Sequence, residues 1–329
     1  MYNYCTLFNS LYLSRGLALY RSLEKCVRNF HLYIFAFDDE CYNILKRMEL
    51  SHATIISLSD FEDEQLLAVK PTRTVGEYCW TCTPSIILYS IRNYDLSNCT
   101  YLDADLFFYA DPAVLIEEAK GASVIITPHR YSAMYEDSES GGTYCVQFVY
   151  FKNSPEGIAV LEWWRAACIE WCYNRREPGR FGDQKYLDVW TSKFTGIHVL
   201  EHLGGGVAPW NVQQYEFEHK IGQVWGRELS SQQLFPVIFY HFHGLKYAEK
   251  NSFTLSNYYT LNDNDIEFLY KPYIKMLTCA DREIKALSRK IVSHEINEIP
   301  RIRTSLRRMF KLYALGKFRE YYHKSYFLR

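Results

Sequence analysis

The chain of 329 residues is long enough for one large α/β domain with an appendage, or for two small domains. Its composition, 48% hydrophobic and 23% charged, is that of a globular protein and excludes global disorder. Net charge is only −1, but residues 282–329 hold 13 Lys/Arg against 4 Asp/Glu, a balance of +9. The preceding 281 residues hold 24 against 34, or −10. An acidic body argues against nucleic acid as a partner, and a basic tail suggests contact with an anionic surface.

The 28 Tyr, 20 Phe and 7 Trp supply core, and they also suit sugar and nucleobase faces. Met1–Arg15 does not read as a signal peptide and no long apolar run is present, so the ten cysteines are expected as buried free thiols in a reducing cytoplasm. Cys79-Trp-Thr-Cys82 has redox spacing and Cys168 and Cys172 lie one helical turn apart. Structural packing is a better reading of both pairs than a zinc site.

In chain order, Tyr2–Phe8 reads as a strand and Ser14–Val27 as a helix with Leu17, Leu19, Leu23 and Val27 on its period. His31–Phe37 is a second buried strand ending at Asp38-Asp39. Glu40–Leu50 is a short helix and Ala53–Leu58 a third strand. Glu77–Asn93 is helical, with Pro84 expected near a helix start. A strand over Thr100–Phe108, a helix over Pro112–Ala119 and a strand over Ser123–Thr127 follow. This alternation predicts an α/β fold with a mainly parallel, doubly wound sheet. The second half is less regular: strands at Tyr144–Phe151, Ile197–Leu200 and Val237–His241, and a Trp-rich helix at Glu156–Tyr173. Gly204-Gly-Gly206 marks a backbone that turns sharply or approaches a ligand closely.

Chemistry concentrates in four segments. Tyr101-Leu-Asp-Ala-Asp105 ends a buried strand with two carboxylates, Asp103 and Asp105, where an open α/β sheet binds ligands. Two hard oxygens suit Mg²⁺ or Mn²⁺, although such pairs are also common in solvated turns. Asp183 and Gln184 follow a polar loop and open an amphipathic helix, where Asp is equally at home as an N-cap. In Tyr240-His-Phe-His-Gly-Leu-Lys246, His241 and His243 share a face of an extended chain. Gly244 permits close approach of a ligand, and Lys246 offers a charge for phosphate. Two Asp, one His and phosphate oxygens make a sensible cation site. Trp210 and Asn211 offer an apolar face and an amide to a sugar ring, or simply anchor a loop.

Taken in this order, the segments resemble the GT-A glycosyltransferases, especially the family-eight sugar-nucleotide transferases. Thr6–Asn9, Tyr101–Asp105, Val146–Asn153, Asp183-Gln184 and His241–Lys246 carry the likeness, which covers about residues 1–250. Three departures stand out. Gln147 replaces the polar residue of an Asn-Ala-Gly motif, Lys246 comes one residue early, and no Arg or Lys precedes Asp103 by about one helix.

The resemblance implies a GT-A, Rossmann-like domain over 1–255 and a helical C-terminal extension over 256–329, basic from about 282. It implies a nucleotide-sugar donor, UDP-linked, held by Thr6, Leu7, Asn9, Asp103, Gln147, Gly244 and Lys246. A divalent cation, Mn²⁺ or Mg²⁺, would sit on Asp103, Asp105 and His241. Asp183 and Gln184 would act at the donor sugar, with retention favoured. Trp210 and Asn211 would meet the acceptor, a glycan or lipid-linked sugar of bacterial surface polysaccharide synthesis. A sugar-phosphate nucleotidyltransferase shares the sheet but normally carries a Gly-rich loop after strand one. A non-catalytic carbohydrate-binding protein would not need the metal-binding groups. In Arg301–Phe318, Ile302, Leu306, Met309, Phe310 and Tyr313 form one helical stripe flanked by Arg303, Arg307, Arg308 and Lys311. This basic amphipathic helix would place a cytoplasmic enzyme on the inner face of a membrane, or would pack on its own acidic body.

Overall fold

The computed structural model describes residues 1–136, 141–256, 258–298 and 321–328. In chain order the first nine strands are β1 (Tyr2–Phe8), β2 (Phe30–Ala36), β3 (Ala53–Ser57), β4 (Asn98–Leu102), β5 (Leu106–Phe108), β6 (Val124–Pro128), β7 (Tyr144–Lys152), β8 (Ile197–Val199) and β9 (Gly205–Val207). A seven-stranded central sheet has the order β3-β2-β1-β4-β7-β6-β8. Its first four strands are parallel, β7 runs antiparallel to both β4 and β6, and β8 is parallel to β6. The expected α/β class therefore holds.

Period-2 side-chain alternation gives the sheet two cores. Tyr4, Phe8, Leu32 and Ile34 point to one face, where Leu13, Leu17 and Leu23 of the helix Leu13–Cys26 cover them. Cys5, Leu7, Tyr33 and Phe35 point to the other, beneath the helices Val75–Asn93 and Pro155–Glu170. Trp164 and Trp190 are fully buried in that second core. Burying each such large side chain stabilises the fold by about 1.5–3 kcal/mol.

Pro84 lies inside the helix Val75–Asn93 rather than near its start. The true start is a capping box, with Thr74 and Glu77 exchanging side-chain-to-backbone bonds. Helix is maintained through the proline by the apolar face around it, Cys82, Ile86 and Ile87, all buried. Cys79 and Cys82 belong to this helix, and burial pushes the Cys79 thiol up to about 12, the opposite of an activated redox cysteine. All ten cysteines are free.

The remaining strands are β10 (Tyr215–Lys220), β11 (Gln223–Glu228), β12 (Leu234–Pro236), β13 (Phe239–His241), β14 (Lys246–Ala248), β15 (Ser252–Thr254), β16 (Ile296–Asn297) and β17 (Tyr322–His323). β10-β11-β12 form a meander, β5-β13-β9 a small sheet and β16-β14-β15-β17 another. The last of these joins residues on both sides of position 255. A C-terminal helix, Lys271–Leu287, is present and packs Ala280 and Ile284 into the first core. The basic stripe over 301–318 lies outside the described residues. Of the aromatic residues beyond it, Phe327 is fully buried against Phe253 and Tyr322 pairs with Phe253, so these two are packing.

The triple glycine is explained by protein, not by ligand. A Cβ on Gly204 would stand 1.9 Å from the Pro236 carbonyl oxygen, and one on Gly206 2.7 Å from Thr127 Cγ2. Gly204→Ala is therefore expected to destabilise the protein by about 1–3 kcal/mol in urea unfolding, by forcing the residue before β9 away from Pro236 at the end of β12. A variant as stable as the parent would show that this crossing has slack.

Candidate active site

The Asp-x-Asp sequence falls where β4 leaves the central sheet. A tight reversal begins at Asp103 and is closed by the Leu106 N–H, which donates to the Asp103 carbonyl at 3.2 Å. β5 then pairs antiparallel with β13, setting His241 opposite Leu106, and the Phe242 N–H donates to the Asp105 carbonyl at 3.1 Å. The result is a convergence of two carboxylates and an imidazole. His241 Nε2 is 3.1 Å from Asp105 Oδ1 and 3.7 Å from Asp103 Oδ2. All three residues offer ligand atoms within 4.8 Å of one another. The His241 side chain is 6% exposed, whereas those of Asp103 and Asp105 are 28% and 16% exposed, so the two acids are the less buried part of the group.

Two further side chains orient this group. Tyr101 OH donates to Asp103 Oδ1 at 2.8 Å, leaving Oδ2 towards His241. His241 Nδ1 lies 2.8 Å from Gln147 Oε1. An amide oxygen only accepts, so Nδ1 carries the proton and Nε2 faces the carboxylates. A metal-ligating histidine requires that arrangement. Gln147 is itself fully buried on β7. It supports His241 from within the core.

Electrostatics follow from the burial of like charges. Burial and the neighbouring Asp105 raise Asp103, while His241 pulls it down. Against the penalty of burial, His241, then His243 and Arg15, hold Asp105 down at about 2. Burial likewise opposes a charged His241, yet Asp105 and Asp103 raise it well above its ordinary value. Without a metal, a proton on His241 does the work that a cation would do. Two hard oxygens and one correctly oriented imidazole nitrogen fit a divalent ion such as Mn²⁺ or Mg²⁺.

Asp183 is 6% exposed and precedes a 3₁₀ helix, Gln184–Val189, rather than capping an α-helix. Its side chain makes no cap bond and instead meets Thr83. Burial and the charge of Asp103 push its carboxyl up to about 7. Trp164 Nε1 donates to the Asp183 carbonyl at 2.9 Å, fixing the segment to the core. Gln184 Nε2 donates to the Gly141 carbonyl. Gly244 has φ +79 in a turn where an added Cβ would meet nothing, so conformation selects the glycine. Lys246 is exposed at the start of β14, close enough to His243 to act on its charge.

Most of the other residues expected at the ligands are buried. Thr6 and Leu7 are buried within β1, and of that stretch Asn9 alone is half-exposed, just past the strand end. Asn211 is 1% exposed; its Nδ2 donates to the His129 and Gly206 carbonyls, both at 2.9 Å, and its Oδ1 accepts from the Ala208 N–H. It closes a loop and has no donor left for a sugar. Trp210 is buried too, its ring edge-on to His241 with centroids 5.4 Å apart. It walls the histidine and is no open platform.

Arg15 escaped the sequence reading. It lies on the helix Leu13–Cys26, 5% exposed, and its charge acts on Asp105. Only its place one turn beyond the end of β1 hinted at this.

The fold and site define an α/β protein with a mainly parallel central sheet and a candidate cation centre at the end of β4. No family model matches the chain. Over 278 residues it is 32% identical to the uncharacterized protein YfnD of Bacillus subtilis (strain 168), spanning 83% of this chain and 88% of that protein. It is 31% identical to the uncharacterized protein YfnF of the same organism, spanning 83% and 91%. The chain belongs to the family of these two proteins. Among solved structures it is similar to the galactosyltransferase LgtC in complex with donor and acceptor sugar analogs. That match has 9% identity, a TM-score of 0.47, and covers 84% of this chain and 95% of that one. A likeness so distant carries no argument about activity.

Gln147→Leu removes the acceptor for His241 Nδ1–H and is expected to weaken Mn²⁺ binding about 10–100-fold by calorimetry. Undiminished affinity would mean that His241 is not a ligand. Because His241 must lose its proton to bind, Mn²⁺ affinity should rise from pH 6 to pH 8 with proton release. The sign reverses for the metal-free fold. A folded pKa above the unfolded value gives stability that is complete below about pH 6.5 and is lost as pH rises through the folded pKa.

Proposed function

We propose that this chain is a metal-dependent glycosyltransferase that moves a sugar from a UDP-linked donor to a glycan or lipid-linked acceptor. The reaction retains anomeric configuration and serves bacterial surface polysaccharide synthesis. The observation that carries this reading is the convergence of Asp103, Asp105 and His241, with His241 oriented by Gln147. A divalent ion bound there would supply positive charge to a departing diphosphate.

The chain's own residues do the rest. Lys246 offers a second charge to the phosphates. Asp183, near half-protonation at neutral pH, can donate to or accept from a sugar hydroxyl, with Gln184 next to it in sequence. A glutamine is a poor nucleophile, which favours attack from the leaving-group side. One observation favours a second reading, inversion: a carboxyl held at about 7 is well matched to a general base. Nucleotidyl transfer is less well supported, because β1 leads into a 3₁₀ turn, Ser10–Tyr12, and not a Gly-rich loop.

No helix among the described residues is long and apolar enough to cross a membrane. We place the enzyme in the cytoplasm, peripheral on the inner membrane face through its basic tail. Replacing Arg303, Arg307 and Arg308 with Gln should abolish low-salt co-sedimentation with anionic vesicles; unchanged sedimentation would exclude the tail as anchor.

Asp103→Asn or Asp105→Asn should lower metal-dependent UDP-sugar turnover about 100-fold or more, with the fold intact by thermal melting. Near-normal rates in chelator-cleared buffer would sink the assignment. Asp183→Ala and Gln184→Ala should impair transfer more than UDP binding. NMR of the product anomer decides between retention and inversion.

A further inference from the structure

Three hydroxyl side chains of the helix Val75–Asn93 reach back towards the carbonyl four residues earlier. Thr81 Oγ1 donates to the Glu77 carbonyl and Ser90 Oγ to the Ile86 carbonyl, both at 2.8 Å. Thr83 differs: its Oγ1 stands 3.4 Å from the Cys79 carbonyl oxygen, longer than an ordinary O–H···O bond. The residue is 1% exposed, with buried Cys82, Ile86 and Ile87 beside it on the helix, and a buried hydroxyl needs a partner. Its other partner is the carboxyl of Asp183, to which it donates. A charged carboxylate is the better acceptor of the two.

The backbone around Asp183 is held independently of Thr83. Trp164 Nε1 donates to the Asp183 carbonyl at 2.9 Å, and the Gly182 N–H donates to the Tyr173 carbonyl at 3.1 Å. Gly182 has φ +54, and a Cβ there would stand 3.4 Å from Trp80 Cε3, so the loop rests on the same helix about one turn before Thr83. These contacts fix the main chain and leave the side-chain torsions free. The N–H groups of Asp183 and Gln184 act on the carboxyl from its own loop, whereas Thr83 reaches it from another element. Pro84 follows Thr83, and because it has no N–H the Trp80 carbonyl lacks its helical donor. The regular ladder is thus interrupted at the turn that carries Thr83.

We propose that Thr83 is a positioning residue for Asp183, engaging one carboxylate oxygen from inside the core so that the other is presented to the donor sugar. The inference rests on the glycosyltransferase reading and adds to it the contact that makes Asp183 precise. Thr83 is too deeply buried to touch a substrate itself. Asp183 lies close enough to Asp103 for the one charge to act on the other, which places its carboxyl at the site. The branched Cβ of Thr83 restricts χ1, so the hydroxyl keeps its direction before and after a sugar binds. A carboxylate held in this way needs little ordering when the sugar arrives, and an error of about 1 Å at a reacting centre costs about 10²-fold in rate.

The test is turnover of UDP-glucose and UDP-galactose by the full-length, Mn²⁺-loaded protein, with water as acceptor. Thr83→Val, nearly the same shape without the hydroxyl, should lower kcat about 10–100-fold and leave KM and UDP affinity within about threefold. Thr83→Ser, which restores the donor, should recover to within about threefold of the parent. In an Asp183→Ala background, Thr83→Val should cost less than about twofold more, because it acts through that carboxylate. A parental kcat in Thr83→Val overturns the proposal. So do equal losses in Thr83→Val and Thr83→Ser, or an undiminished loss in the Asp183→Ala background. If Thr83→Val does not fold, Thr83→Ala takes its place with the same outcomes. Asp183→Ala at the parental rate, or a native protein inert towards these and other UDP-sugars, would instead defeat the broader reading.

Discussion

Antiparallel pairing between β5 and β13 forces an imidazole against two carboxylates, because it sets His241 across from the residue that follows Asp105. Two carboxylates this close, both partly withdrawn from water, cannot stay ionised together without a positive charge beside them. In the metal-free protein the protonated His241 provides it, which is why its pKa rises while that of Asp105 falls. A divalent ion would take over that role and return the imidazole to its neutral, ligating form. The rest of the site is arranged around this exchange. Gln147 fixes which nitrogen faces the acids, and Tyr101 holds one oxygen of Asp103. Trp210 closes the apolar side.

The central sheet was legible because its strands are short apolar runs bounded by turns, and the helices Leu13–Cys26, Asp39–Met48 and Val75–Asn93 show as longer segments between them, whereas the short helices Leu58–Phe61 and Glu64–Val69 left no signal. Pro84 misled because proline is read as a boundary, whereas a well-buried helix tolerates it in the interior. The three-residue strands β9, β12, β14 and β15 left no periodic trace. Asp103, Asp105 and His241 were legible as a set because metal-ligating side chains are few and their chemistry is specific. Gln147 was singled out from the sequence, but its contact with His241 was not legible there. Its partner lies on β13, and only the pairing of β4 with β7 next to the Asp103 reversal brings the two together.

Trp210 and Asn211 were less legible. Both residue types suit a sugar, and neither sequence nor spacing distinguishes a sugar platform from a loop clasp. Hydrogen bonding settles the matter for Asn211, whose amide donors and oxygen are all engaged by backbone. The clasp is useful to the site all the same. It pins the residues after β9 to His129, and so sets the Trp210 ring beside His241.

The C-terminal residues are bound into the same physical unit through one turn of the first helix. Ser14 Oγ donates to Asp281 Oδ1 at 2.5 Å, and the same carboxylate accepts from Ser293 Oγ at 3.1 Å and lies 3.3 Å from His294 Nδ1. The His294 ring stacks on Tyr247 with centroids 3.6 Å apart, and Tyr247 in turn flanks Arg15. Consecutive residues of a helix point about 100° apart. Ser14 and Arg15 can therefore hold two different neighbours at once, the helix Lys271–Leu287 through Asp281 and the His241–Lys246 segment through Leu245. Any movement of the residues around 293 must be felt at Tyr247, and through Arg15 at the carbonyl just before Lys246. The polar contacts that bury the C-terminal segment are thus the same ones that keep a buried cation in place beside Asp105.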